Sequence, residues 1–275
     1  MAADRIDWDD AFSNMAHIPG SEALPGLWAA QAAEYRARLG GALREISYGA
    51  GERRRLDLIL PEGRPKGLAV FIHGGFWLAF GKADWTHLAE GARARGWAVA
   101  LPGYTLAPEA RISQTTREIG EALGAAAALV EGPIRLTGHS AGGHLATRMI
   151  CDDSPLSADV LARVEKVLSI SGVHDLRPLR RTKMNEKLRL TPEEAAAESP
   201  VLRDPLGAPR LTCWVGAAER PEFLRQSRLM AMIWAGLDAR TDLVEEPERN
   251  HFSILEGLRR PDSPLLEAVF EKPPV

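Results

Sequence analysis

The chain has 275 residues, 45% of them hydrophobic, and a formal net charge of −3. That length and apolar content suit one α/β domain with a full-sized core, and interspersed charges of both signs exclude nucleic acid or an anionic membrane as the default partner. Cys151 and Cys213 lie far apart without CxxC or Cys/His spacing, which argues against a disulfide framework or a zinc site.

In chain order, the acidic start from Met1 to Asp10 lacks the profile of a signal peptide. The most apolar stretches, Leu68 to Phe80 and Ala122 to Val130, are too short to span a bilayer, so a cytoplasmic protein is expected. Residues 1–40 form an N-terminal helical segment, with helix-like Leu27 to Leu39 ahead of the first strand. Arg54 to Leu60 alternates at its start and reads as an early, half-exposed strand. Gly67 to Ile72 is continuously apolar, as a strand covered on both faces should be. Thr86 to Arg95 has helical periodicity, Trp97 to Leu101 reads as a strand, and Ile112 to Glu131 as a helix. Strand Pro133 to Thr137, helix Gly143 to Cys151 and strand Val164 to Ile170 follow. Residues 177–205 interrupt this alternation. There Thr191 is a candidate N-cap with Pro192 at the first helical position and Glu193 and Glu194 in the first turn. The segment is either a connecting helix or a lid over a site. Leu211 to Val215, the helix Glu222 to Gly236, the weak strand Leu243-Val244 and a last helix after His251 complete the chain. The pattern predicts a single domain over 1–275 with a mostly parallel central sheet flanked by helices.

The chemistry-bearing residues sit at strand ends. Gly138-His-Ser-Ala-Gly142 is a GxSxG pattern, a weak signal alone. Between a predicted strand and a predicted helix it describes a nucleophile elbow, which holds Ser140 in a strained turn with its hydroxyl exposed. His73-Gly-Gly-Phe-Trp77 directly follows another predicted strand. Its glycines let backbone N–H groups approach an oxyanion, with each such donor worth roughly 3–4 kcal/mol. Gly74, Gly75 and Phe76, together with Ala141 after the nucleophile, are the expected donors. A serine nucleophile needs a base, and with the order serine, acid, histidine His251 is the candidate among seven histidines. His144 lies on the elbow helix, and His174 comes too early. His73 and His139 flank the two loops and are expected to orient backbone. For the acid, Glu219 has the best spacing after strand Leu211 to Val215, while Glu222 and Asp175 remain alternatives.

Taken together, His73-Gly-Gly-Phe-Trp77, Gly138-His-Ser-Ala-Gly-Gly-His144, Ser171-Gly-Val-His-Asp-Leu176, Pro221-Glu-Phe and Asn250-His-Phe resemble the kynurenine formamidase (arylformamidase) branch of the α/β hydrolases. Tyr104-Thr-Leu-Ala-Pro-Glu109 is similar to a stretch of the hormone-sensitive-lipase-like esterases. The likeness runs from about Ala11 to Glu256. It implies the α/β-hydrolase fold and cofactor-free, metal-free hydrolysis of an N-formyl arylamine or a small aryl or short-chain ester. Three positions depart from the pattern: Glu219 stands where the family usually has Asp, and Phe76 and His174 where Tyr is frequent. The expected partner is a small-molecule substrate, with a homodimer left open. Trp77, Phe80 and Tyr104, with Phe76 and Trp85, are aromatic candidates for holding a flat substrate, against core packing as the alternative. A broad short-chain carboxylesterase and a non-catalytic binding protein on the same fold are the competing readings.

Overall fold

A computed structural model describes residues 6–206 and 210–271. Eight strands build one sheet: β1 (Leu43–Ser47), β2 (Arg55–Ile59), β3 (Leu68–Ile72), β4 (Ala98–Pro102), β5 (Ile134–His139), β6 (Val164–Ile170), β7 (Arg210–Gly216) and β8 (Thr241–Glu246). They pair in the order β1-β2-β4-β3-β5-β6-β7-β8. The first two run antiparallel to their neighbours, and all pairings from β4 to β8 are parallel.

Strand β3 shows why its sequence is continuously apolar. Side chains alternate across a pleated strand. Accordingly Leu68, Val70 and Ile72 enter one hydrophobic cluster, and Ala69 and Phe71 enter another on the opposite face. The first cluster packs under helices α2 (Ile112–Leu129), α3 (Ala141–Arg148) and α5 (Pro221–Ala235). The second packs under α1 (Leu24–Leu39) and α6 (Pro264–Phe270), with Trp28, Trp85 and Trp97 among its members. An ion cluster adds to the packing of α1. Asp57 on β2, fully buried, accepts from Arg36 of α1 and from Lys82 at 2.5 Å. A buried carboxylate needs such partners, since desolvation would otherwise penalise its charge heavily.

One strand departs from expectation, and the 177–205 segment holds the helix that Thr191 and Pro192 predict. β1 is a strand that the sequence pattern did not announce; it is an edge strand with mostly exposed residues and no apolar alternation. The 177–205 segment contains the helix α4 (Pro192–Ala197), where Thr191 accepts from Glu194 N as an N-cap with Pro192 following. Leu188, Leu190, Ala195 and Val201 are buried in the first cluster. Glu198 accepts from Thr116 at 2.7 Å and from Arg148 at 3.1 Å. Residues 177–205 are thus fastened to α2 and α3. No helix among the described residues is long and apolar enough to cross a membrane.

Candidate active site

One residue separates β5 from α3, and it is Ser140. Its backbone is left-handed (φ 55°, ψ −117°), and its N–H donates to Ile170 O at 2.8 Å. Such a conformation is costly for a residue with a Cβ and persists only when the surroundings enforce it. They do so here by close approach: a Cβ on Gly142 would be driven into the Ile72 carbonyl oxygen. Helix α3 therefore starts hard against β3. Its first backbone amide, Ala141 N–H, precedes the intrahelical ladder, which opens with His144 N to Ser140 O.

The loop after β3 faces this turn. Gly75 takes φ 108° and Phe76 and Trp77 follow at 51° and 57°. Leu78 and Ala79 N–H both donate to Gly75 O, closing the loop on itself. His73 and Tyr104 buttress it. The Tyr104 hydroxyl donates to His73 O at 2.9 Å, its ring stacks on the imidazole at 4.3 Å, and His73 Nδ1 lies 2.7 Å from Gly74 O. Burial pushes the His73 pKa down to about 4, so it sits neutral.

His251 lies after β8, in a loop held by Asn250 Oδ1, which accepts from Phe252 N and Ser253 N. Its Nδ1 is 2.6 Å from Glu219 Oε2, and both side chains are buried. Glu219 Oε1 accepts from the Ser171 hydroxyl at 2.6 Å and from Gly216 N at 2.8 Å. The other two carboxylates point elsewhere. Glu222 pairs with Arg225 and Gln226, and Asp175 with Arg177. On the far side of His251, His139 Nε2 bonds the His251 carbonyl at 2.8 Å. Burial first, and then the neighbouring His251, hold the His139 pKa well below its ordinary value, so its imidazole adds no charge beside His251.

Ser140, His251 and His139 line one wall of a cavity of about 110 Å³. Gly75 and Phe76 also line it, and Gly74 abuts the Ser140 turn, where a Cβ on it would meet the His139 carbonyl oxygen and the Ser140 Cβ. Phe80, Trp85, Trp28 and Phe252 supply aromatic side chains, and Asn14 and Met15 complete the lining. Ser140 and His251 share this wall without a direct hydrogen bond between them among the described residues. Catalytic contacts of this kind often tighten only with substrate present.

Of the aromatic candidates, Phe80 lines the cavity, whereas Trp77 and Tyr104 do not. Both are wholly buried in the core. Consecutive left-handed residues turn Phe76 toward the cavity and Trp77 away, edge-on to His144 at 5.1 Å. Tyr104 is the buttress of the His73 loop. Of the two segments outside the βα alternation, the N-terminal one lines the cavity through Asn14, Met15 and Trp28, and no residue of 177–205 does. Asn14, Met15 and Trp28 carry no sequence signal for this role, since they lie over a hundred positions from Ser140. Phe252, adjacent to His251, was within reach of sequence reasoning. No cluster of three metal-ligating side chains exists among the described residues.

A family model described as the alpha/beta hydrolase fold matches residues 69–253. The chain is 31% identical to a kynurenine formamidase of Danio rerio over 229 residues, 78% of this chain and 76% of the relative. Among solved structures it is similar to a protein of Silicibacter sp. provisionally described as a thioesterase. The identity is 47% and the TM-score 0.92, covering 97% of this chain and 100% of that one. An esterase of Pyrobaculum calidifontis shares the fold at a TM-score of 0.71, with 17% identity over 90% of this chain and 94% of that one.

Proposed function

We propose that this chain, which belongs to the α/β-hydrolase family in its kynurenine formamidase-like branch, is a serine hydrolase that cleaves a small N-formyl arylamine or aryl ester. The observation that carries the reading is the buried Glu219–His251 contact at 2.6 Å, opening onto the aromatic cavity that Ser140 also lines. In this reading Ser140 Oγ attacks the acyl carbonyl as His251 Nε2 takes its proton, with Glu219 holding the tautomer and stabilising the imidazolium. The N–H groups of Gly75, Phe76 and Ala141, with Gly74 beside them, receive the developing oxyanion. The leaving amine or phenol departs with the proton from His251. Water, deprotonated by His251, then releases the acid and restores Ser140. All groups needed are side chains and amides of the chain, so no cofactor is proposed, and the cytoplasm is the proposed compartment.

At about 110 Å³ the cavity is smaller than an engineered apolar cavity of ~150 Å³ that holds benzene, so it favours at most a single small ring, with the rest of the substrate outside it. A second reading is esterase or thioesterase activity on short acyl groups. It is favoured by the 47% identical relative and by Phe76, which lacks the hydroxyl often found at that position. Relative kcat/KM for N-formylkynurenine, p-nitrophenyl acetate and phenyl thioacetate separates the readings. A formyl-amide efficiency well below that of the ester or thioester refutes the formamidase assignment. Failure of a fluorophosphonate to label Ser140 in folded protein refutes serine catalysis itself.

A further inference from the structure

Arg53, Arg54 and Arg55 are consecutive, yet their side chains are used differently. Arg54 pairs with Glu121 and Arg55 with Glu45, both exposed carboxylates. Arg53 is half-buried, and its only side-chain hydrogen bonds among the described residues go to two backbone carbonyls. Its Nε donates to Tyr104 O at 2.8 Å, and its Nη2 donates to Phe80 O. A planar guanidinium presents its donors in fixed directions, so one side chain sets the spacing of two chain segments. A lysine ammonium, a single point of charge on a flexible stem, does not.

Those two carbonyls bracket the 73–80 loop after β3. At its start, the Tyr104 hydroxyl donates to His73 O at 2.9 Å, so holding Tyr104 holds His73 and the glycines that follow it. At its end, Phe80 stands in left-handed backbone (φ 70°), just ahead of the 3₁₀ helix Lys82–Ala89. Phe80 also presses on Gly75: a Cβ there would come within 2.5 Å of Ala79 O and 2.9 Å of Phe80 Cδ2. Phe76, Trp77 and Phe80 all carry a Cβ at positive φ, a conformation that persists only where the surroundings enforce it. Ala107 N–H braces the middle of the loop at Trp77 O, and Arg53 braces both of its ends.

We infer that Arg53 is a positioning residue for the oxyanion donors: through Phe80 and Tyr104, its guanidinium sets where the N–H groups of Gly75 and Phe76 stand relative to Ser140. This role rests on the serine-hydrolase reading above. Arg53 does not line the cavity, so it acts on the reacting atoms only through the loop it holds.

The test compares wild type, Arg53→Lys and Arg53→Gln in hydrolysis of p-nitrophenyl acetate, inhibition by phenylboronic acid and titration of Ser140 with a fluorophosphonate. In the boronate adduct a bond forms from Ser140 Oγ to boron, the hydroxyl proton passes to His251, and no bond to boron breaks. The tetrahedral anion then places an oxygen where the oxyanion would stand, so its affinity reads the donors directly. In both variants kcat/KM per titrated site is expected to fall by about tenfold, and boronate affinity to weaken by the same factor. The titrated fraction should stay at the wild-type level. A brace that serves stability alone would lower melting temperature and titrated fraction and leave kcat/KM per site and boronate affinity unchanged. That result overturns the proposal, as does an Arg53→Lys protein equal to wild type in both. Arg53→Lys keeps the charge and much of the stem, so it serves where Arg53→Gln folds poorly. If Ser140 is titrated but the ester is not cleaved, boronate affinity alone decides. If wild type is neither titrated nor active, the serine-hydrolase reading fails and takes this role with it.

Discussion

Glu219 uses its two carboxylate oxygens differently, and that asymmetry predicts what a near-isosteric change will do. Oε1 accepts from Ser171 and from the Gly216 N–H, whereas Oε2 faces His251 Nδ1. In Glu219→Gln the amide oxygen is held at the first position by those donors, which forces the NH₂ toward Nδ1. The imidazole must then carry its proton on Nε2, the wrong tautomer for a base. Turnover is expected to fall by about 10⁴-fold with little change in melting temperature. Glu222→Gln breaks contacts to Arg225 and Gln226 and should lower melting temperature more than turnover. If Asp175→Asn abolishes turnover while Glu219→Gln spares it, the acid is misassigned. At this scale Ser140 and His251 were readable because short motifs and chain order single them out. Glu219 was left in competition with two other carboxylates, because pattern says nothing of how a loop folds over. The structure narrows the choice at Gly216, where a Cβ would strike the Arg249 carbonyl, so that the end of β7 and the His251 loop lie in contact.

Among the elements, the turn from β5 to α3 tolerates the least change. Gly142→Ala puts a methyl group against the Ile72 carbonyl oxygen, which lies in a buried strand with no room to retreat. Overpacking of this kind costs about 1–3 kcal/mol. Because α3 must shift to relieve it, the variant is expected to lose labelling by fluorophosphonate out of proportion to its fall in melting temperature. Retained labelling would show that the helix start is not what presents Ser140. The N-terminal cover behaves differently. Phe12→Ala removes packing worth about 3–5 kcal/mol from a short segment that is otherwise tied down by Arg220 to Asp10 and by Lys183 N to Asp9. We expect faster amide exchange over residues 8–23 and a KM rise exceeding the fall in kcat; unchanged exchange and KM would count against it. Strands with a buried face were legible from their apolar runs, as β3 and β6 show. β1 was not, because an edge strand of pattern Leu-Arg-Glu-Ile-Ser satisfies its backbone without an apolar stripe. The cover was illegible for another reason: nothing in residues 12–28 encodes which end of a distant sheet they cross.

For the molecule as a whole, the histidines make acid the weak flank. Burial depresses His73 and His87 to about 4 and His174 to about 3, and pushes His139 and His144 well below the ordinary 6.5. The unfolded chain therefore binds protons that the folded one refuses. Their contribution to stability is complete above about pH 6.5 and is lost as pH falls toward 4, at about 1.4 kcal/mol per pH unit for each group. Calorimetry near pH 5.5 should find an uptake of about three protons on unfolding from His73, His87 and His174 alone, since each is then mostly protonated unfolded and neutral folded. An uptake near zero would mean that these imidazoles are solvated in the native state. The two ends of the described chain also have unequal standing. Asp10 is clasped by Arg220, the immediate neighbour of Glu219, and Asn14 lines the cavity. Glu271 instead lies near Lys166 at the start of β6, the opposite end of the parallel strands. The described chain thus begins on the side of the sheet that carries the cavity and ends on the opposite side.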